Sequence, residues 1–158
     1  MTAQRYIKPS GFTHALNAVL AAFARVGISV YGSRILAVRG RTSGEWKTVP
    51  VNLLKHEGGQ YLVAPRGETQ WVRNLRAAKT GELRLGRRVD PFSATELQDA
   101  DKPPVLRAYL KKWAFEVKVF FDGVDANASD AELLRIAPNH PVFLIEHVDA
   151  ASGIQAVG

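Results

Sequence analysis

Arg41, Thr42, Ser43 and Lys47 stand close together in the run RGRTSGEWKTVPV at 39–51, bracketed by Gly40 and Gly44. A forked guanidinium, two hydroxyl donors and a point charge form a donor set suited to phosphate or carboxylate. The glycines permit backbone conformations that line up successive N–H groups, so the turn is a candidate anion nest. Further along, PRGETQWVRNL at 65–75 places Arg66 and Gly67 before Trp71, Arg73 and Asn74. Trp71 and Asn74 are three residues apart, on one side of a helix. There an indole could wall a flat ring while the amide bonds its polar edge. Together the two segments fit a large anionic cofactor with a planar ring system. Each also has a plainer reading: a basic hairpin turn, and a Trp71 core anchor with Asn74 as a local backbone partner.

Charge distribution favours the first reading. The net charge is +6, but residues 34–88 hold twelve Lys/Arg against four Glu, a net of +8. The remainder is slightly acidic, so the positive charge belongs to the segment with the two motifs. A basic stripe implies an anionic partner, whether nucleic acid, anionic lipid or a phosphorylated small molecule. Neither the G-x-x-x-x-G-K-[ST] nor the G-x-G-x-x-G spacing is present, so both common nucleotide loops are excluded. The chain has no Cys, which rules out disulfides, Cys-ligated metal and a thiol nucleophile.

The elements that must position these residues follow from periodicity. Phe12, Leu16, Val19, Leu20, Phe23 and Val26 share a helical face over 12–26, ended by Gly27. Residues 34–39 and 47–54 read as strands joined by the cationic turn. Pro50 inside the second strand demands an edge, a bulge or a ligand-facing position. Gly58-Gly59 signals a hairpin into a strand at 60–64. Thr69 is a candidate cap for a helix over 70–78, with Gly81 beyond its end. Strands follow at about 82–87 and 91–98. Asp101 before Pro103 and Pro104 starts a helix with Val105, Leu106, Tyr109, Leu110 and Trp113 inward. Ser129 and Glu132 fit a capping box for 130–136, and 142–148 is the last strand. The small, polar tail from 149 is compatible with disorder. The pattern predicts one α+β domain over 1–158, with about six mainly antiparallel strands and flanking helices.

The order and spacing of these motifs resemble the deazaflavin-dependent nitroreductase family, split β-barrel oxidoreductases that use coenzyme F420. The shared pieces are Gly40-Arg41-Thr42-Ser43-Gly44 with Lys47, Pro50 in the next strand, Pro65-Arg66-Gly67, and Trp71 to Asn74-Leu75. The resemblance implies a cofactor lined by Arg41, Thr42, Ser43, Lys47, Thr48, Val49, Pro50, Val51 and Asn52. It adds Val63, Ala64, Pro65 and Arg66, and Gln70, Trp71, Val72, Arg73 and Asn74. The basic members would face the phosphate and oligoglutamate tail, with Trp71 and Asn74 on the headgroup side. Thr42 and Lys47 depart from the family's usual Lys/Arg and Arg. The C-terminal half, including Tyr109, Trp113 and Phe120 to Gly123, does not match the tyrosine-bearing substrate region of the nitroreductase branch.

The implied activity is hydride transfer from reduced F420 to a small electron-poor acceptor such as a quinone or nitro compound. No protein acid or base is required, so no catalytic side chain is expected. The competing readings are a non-catalytic F420 or lipid-like ligand binder on the same barrel, an FMN-dependent enzyme, and a nucleic-acid binder, although no nucleic-acid motif is present. His14, His56, His140 and His147 are not spaced as metal ligands, and no metal is expected. The N-terminus lacks a signal-peptide pattern, and no run reaches the roughly 20 apolar residues of a membrane span. The expectation is a cytoplasmic protein, with the 12–26 helix a candidate for peripheral membrane contact. Oligomeric state is not legible.

Overall fold

The computed structural model describes residues 32–148. Its strands are β1 (Ser33–Arg39), β2 (Trp46–His56), β3 (Gly59–Val63), β4 (Thr80–Leu85), β5 (Arg88–Glu96) and β6 (Val142–His147). Its α-helices are α1 (Gln70–Ala78), α2 (Pro103–Val117) and α3 (Asp130–Ile136). Every strand pairs antiparallel with its neighbours, and the sheet closes in the order β1-β2-β3-β6-β5-β4. Closure removes the free edges that an open sheet exposes. The expected helix over 12–26 and the tail from 149 lie outside the described residues.

Side-chain alternation along the strands builds two separate cores. Leu53, Leu62 and Phe143 turn into the barrel, where they meet Leu36, Val38, Leu83, Phe92 and Ile145. Their chain neighbours Leu54, Val63 and Val142 turn outward and pack with Tyr109, Leu110, Trp113, Phe121 and Leu133 of the C-terminal layer. Each such fully buried side chain contributes about 1.5–3 kcal/mol of transfer free energy. Helix α1 belongs to the first core through Val72 and Leu75, both fully buried.

Three local expectations are corrected. The tight turn into β3 is Glu57-Gly58, both at positive φ (47° and 80°), and Gly59 already pairs with His56. This is the paired left-handed geometry of a two-residue hairpin loop. Helix α1 spans the expected 70–78, but the left-handed residue that closes it is Lys79 at φ 62° and not the glycine beyond, Gly81. Gly81 is instead a strand residue whose Cβ would meet the Ala37 carbonyl and the Phe92 ring, each at 2.9 Å. Thr69 occupies the N-cap position of α1 but makes no capping hydrogen bond with its side chain. Ser129 does cap α3, its Oγ accepting from the Glu132 amide at 3.2 Å.

One departure from regular pairing prepares the site. The β2–β3 ladder runs only over Leu53 to His56, whereas β2 continues with β1 alone back to Trp46. Beyond β3 the chain stays with β6: the Ala64 amide donates to the Pro141 carbonyl at 2.9 Å. The two strands therefore part above Leu53 and Leu62, and the barrel is split there. Pro50 lies in the reach with a single ladder, where a missing N–H is tolerated.

Candidate functional site

The parted strands bring the two sequence motifs to the same end of the barrel. The 39–46 turn connects β1 to β2 there, and the 64–69 segment leads from β3 into α1. They are tied directly: the buried Asn74 accepts at Oδ1 from the Arg41 amide at 3.1 Å and from the Arg41 guanidinium at 2.7 Å. Asn74 is thus the latch between α1 and the cationic turn, a longer-range partner than the local one considered from sequence.

The turn is well ordered by its own bonds. The Gly40 amide donates to the Glu45 carbonyl and the Gly44 amide to the Gly40 carbonyl, both at 2.8 Å. The Glu45 amide donates to Ser43 Oγ at 3.2 Å. With the Arg41 amide held by Asn74, four of the N–H groups expected to form an anion nest are already engaged. Most of the turn's amides are thus committed to its own shape, and the charge it can offer an anion comes from side chains. Arg41, Thr42, Ser43 and Lys47 are all exposed. Lys47 has only a 4.0 Å contact with Glu45, between side chains 58% and 77% exposed, so its charge is largely open to a ligand.

Alternation along β2 divides the other expected site residues. Lys47, Val49 and Val51 share the parity of the barrel interior, and the two valines pack against the inner core. Thr48, Pro50 and Asn52 share the opposite face with Trp46. One ligand on the barrel side therefore meets the first set by side chain. Trp46 lies on the outer face between Arg39 and Arg84, whose guanidinium carbons stand 4.0 and 5.2 Å from its ring centroid.

Across the split, Val63 faces the outer core and Ala64 the inner one, both buried. Pro65 and Arg66 are partly exposed, and the Arg66 guanidinium sits 4.8 Å over the Phe120 ring. On α1, Gln70 and Arg73 are exposed, Trp71 is partly buried and Val72 is fully enclosed. The Trp71 ring leans on Phe143 at 6.0 Å while keeping part of its surface free. Val72 has no side-chain surface to offer a ligand. Thr69 Oγ1 is buried at the start of α1 without a hydrogen-bond partner.

Sequence reasoning missed the strongest charged contact nearby. Arg76, in the last turn of α1, donates from Nε and Nη2 to the two oxygens of Glu96, each at 2.7 Å. Its Nη1 reaches both oxygens of the buried Glu68 at 3.0 Å. The bond to Glu96, chiefly, and then that to Glu68 hold the Arg76 guanidinium well above its ordinary range, against the opposing effect of burial. Sequence spacing gave no signal for this contact, because β5 and α1 meet only in the folded sheet.

Of the C-terminal residues that depart from the family pattern, the aromatic ones are core side chains. Tyr109, Trp113 and Phe121 are enclosed in the outer core, and His140 stacks on Phe121 at 4.0 Å. Among the described residues no group of His, Asp or Glu could hold a metal ion, and no helix is long and apolar enough to cross a membrane.

The donor set at the split fits a polyanionic, ring-bearing cofactor. It combines exposed cations at Arg41 and Lys47, a partly exposed indole at Trp71 and an unpartnered hydroxyl at Thr69. The model of the F420H2-dependent quinone reductase family matches residues 16–126. No curated protein matches the chain. Among solved structures, an F420-H2 dependent reductase (FDR-A) is 20% identical with TM-score 0.50, over 73% of this chain and 94% of that one. A domain-swapped dimer is 17% identical with TM-score 0.55, covering 85% and 96%. A protein of unknown function from Agrobacterium tumefaciens, Atu2129, is 14% identical with TM-score 0.52, covering 92% of this chain and 59% of its own. At these identities the structures establish the shared barrel, and the family match establishes the rest: this chain belongs to the F420H2-dependent quinone reductase family and is an oxidoreductase.

Proposed function

We propose that the protein reduces a small quinone-class acceptor with F420H2, and that the split between β2 and the 64–74 segment receives the coenzyme. The observation that carries this reading is the pairing of exposed cations with a latched turn. Arg41 is oriented by Asn74, and Lys47 stands on the barrel side of β2 with little internal compensation. In this reading Arg41, Lys47 and Arg66 hold the phosphate and glutamate tail, assisted by the Thr42 and Ser43 hydroxyls. Trp71 walls the ring, and Val49 and Val51 give it an apolar floor. When bound, the reduced deazaflavin supplies the hydride from its ring carbon C5.

The chain's own part is binding and orientation. A ring held at one angle beside an apolar slot brings acceptor and hydride donor to reacting distance, which converts binding energy into rate. The proton that completes hydroquinone formation is the one released when the coenzyme is oxidised, relayed by solvent, so this chemistry requires no protein acid or base. Trp71→Ala should reduce kcat more than it weakens coenzyme binding, because the tail contacts remain.

Parallel titrations with F420 and FMN, followed by steady-state assays on quinones and nitro compounds, test the proposal. Saturable F420 binding with quinone turnover is the expected result. Tight FMN binding with flavin absorbance would replace the cofactor, and tight F420 binding without turnover on any acceptor would replace the enzyme by a carrier.

A further inference from the structure

Helix α1 is held from two opposite sides, and the proposed coenzyme site uses only one of them. At 100° per residue, Asn74 and Arg76 lie about 200° apart around its axis. Asn74 takes the Arg41 turn. Arg76 grips Glu96 at the end of β5 and Glu68 in the turn before the helix. The Glu68 side chain is only 5% exposed, so the turn cannot relax without leaving a buried carboxylate unpaired.

We propose that Arg76 is a positioning residue for the coenzyme. With Glu68 and Glu96 it fixes the rotation of α1 and the path of the 65–69 turn. It thereby presents Asn74 to Arg41 on the far side, and Trp71 and Arg66 to the ligand. Two physical points support this. A nine-residue helix is too short to hold its own geometry, so its contacts set its orientation. A planar fork that satisfies two carboxylates permits one orientation, whereas an ammonium would keep the charge and lose the angle. Arg76 touches no proposed ligand atom and acts through Glu68 and the helix. The inference rests on the F420 reading for its ligand, but the tether itself is testable without any ligand.

The test compares Arg76→Lys, Arg76→Gln and Glu96→Gln with Leu133→Val, a conservative change in the outer core away from α1. Amide hydrogen exchange is measured on the cofactor-free proteins, and the F420 Kd by fluorescence quenching. In the tether variants the Arg41 amide should exchange about tenfold faster, as its bond to Asn74 loosens. The F420 Kd should rise about 2- to 30-fold, the span of a transmitted positional effect. Arg76→Lys should fall between wild type and Arg76→Gln. Leu133→Val should lower the melting temperature and leave both readings unchanged. If Arg76→Gln fails to fold, Arg76→Lys and Glu96→Gln decide the matter. Unchanged Arg41 exchange in a folded tether variant overturns the proposal, as does faster exchange with an unchanged Kd. Failure of the wild-type protein to bind F420 would instead strike the functional reading, while the exchange arm would still decide the tether.

Discussion

On one flank of α1 the Arg76 guanidinium is enclosed by two carboxylates, with every contact at 3.0 Å or less. On the other, Lys47 stands 58% exposed with one long contact to Glu45, and Arg41 is held by a neutral amide. Both regions are cationic in sequence, yet only the first has been neutralised by the fold. A charge surrounded by its counter-charges serves the architecture. A charge that the fold orients and leaves uncompensated is available to a ligand. The comparison explains why so basic a segment can pack a tight barrel and still attract a polyanion.

Breaking the enclosed side should have the largest effect. Arg76→Ala strands a buried Glu68 beside Glu96, and unfolding by denaturant should show a loss of about 3–5 kcal/mol. The lower end is expected, because 38% of the Arg76 side chain is exposed. On the open side, Lys47→Ala and Arg41→Ala should each weaken F420 binding by about 1–3 kcal/mol, the range for charge-assisted bonds. Denaturation of the same Lys47 variant should move by less than about 0.5 kcal/mol, which separates ligand charge from scaffold charge.

Away from both regions, Ser129→Ala removes the α3 cap and should cost about 1 kcal/mol of stability, with the F420 Kd unchanged. Smallest of all, Glu45→Gln abolishes an exposed ion pair. Stability should change by less than about 0.5 kcal/mol, and titration should show slightly tighter F420 binding once a carboxylate beside Lys47 is gone.

The fold was legible wherever a local rule governed it. The apolar runs at 47–54 and 142–148 marked strands, and Ser129 with Glu132 marked a helix start. The cationic turn between β1 and β2 was likewise readable, because loop chemistry is local. What could not be read depended on elements distant in sequence. The Asn74–Arg41 latch spans 33 residues, and the Arg76–Glu96 fork forms only after β5 has joined the barrel. The split was expected only through the family resemblance; where the β2–β3 ladder stops is set by pairing, which no local pattern fixed. Thr69 shows the limit from the other direction: it occupies a cap position, and the cap bond is not made.

The most direct test of the cationic rim compares F420 with the same deazaflavin lacking its phosphate and glutamates, each titrated into wild type and Lys47→Ala. If the rim grips the tail, wild type should bind the complete coenzyme at least about tenfold more tightly, as one or more charge-assisted contacts require. The Lys47 variant should lose much of that difference. Equal affinity for the two compounds in wild type would contradict the account.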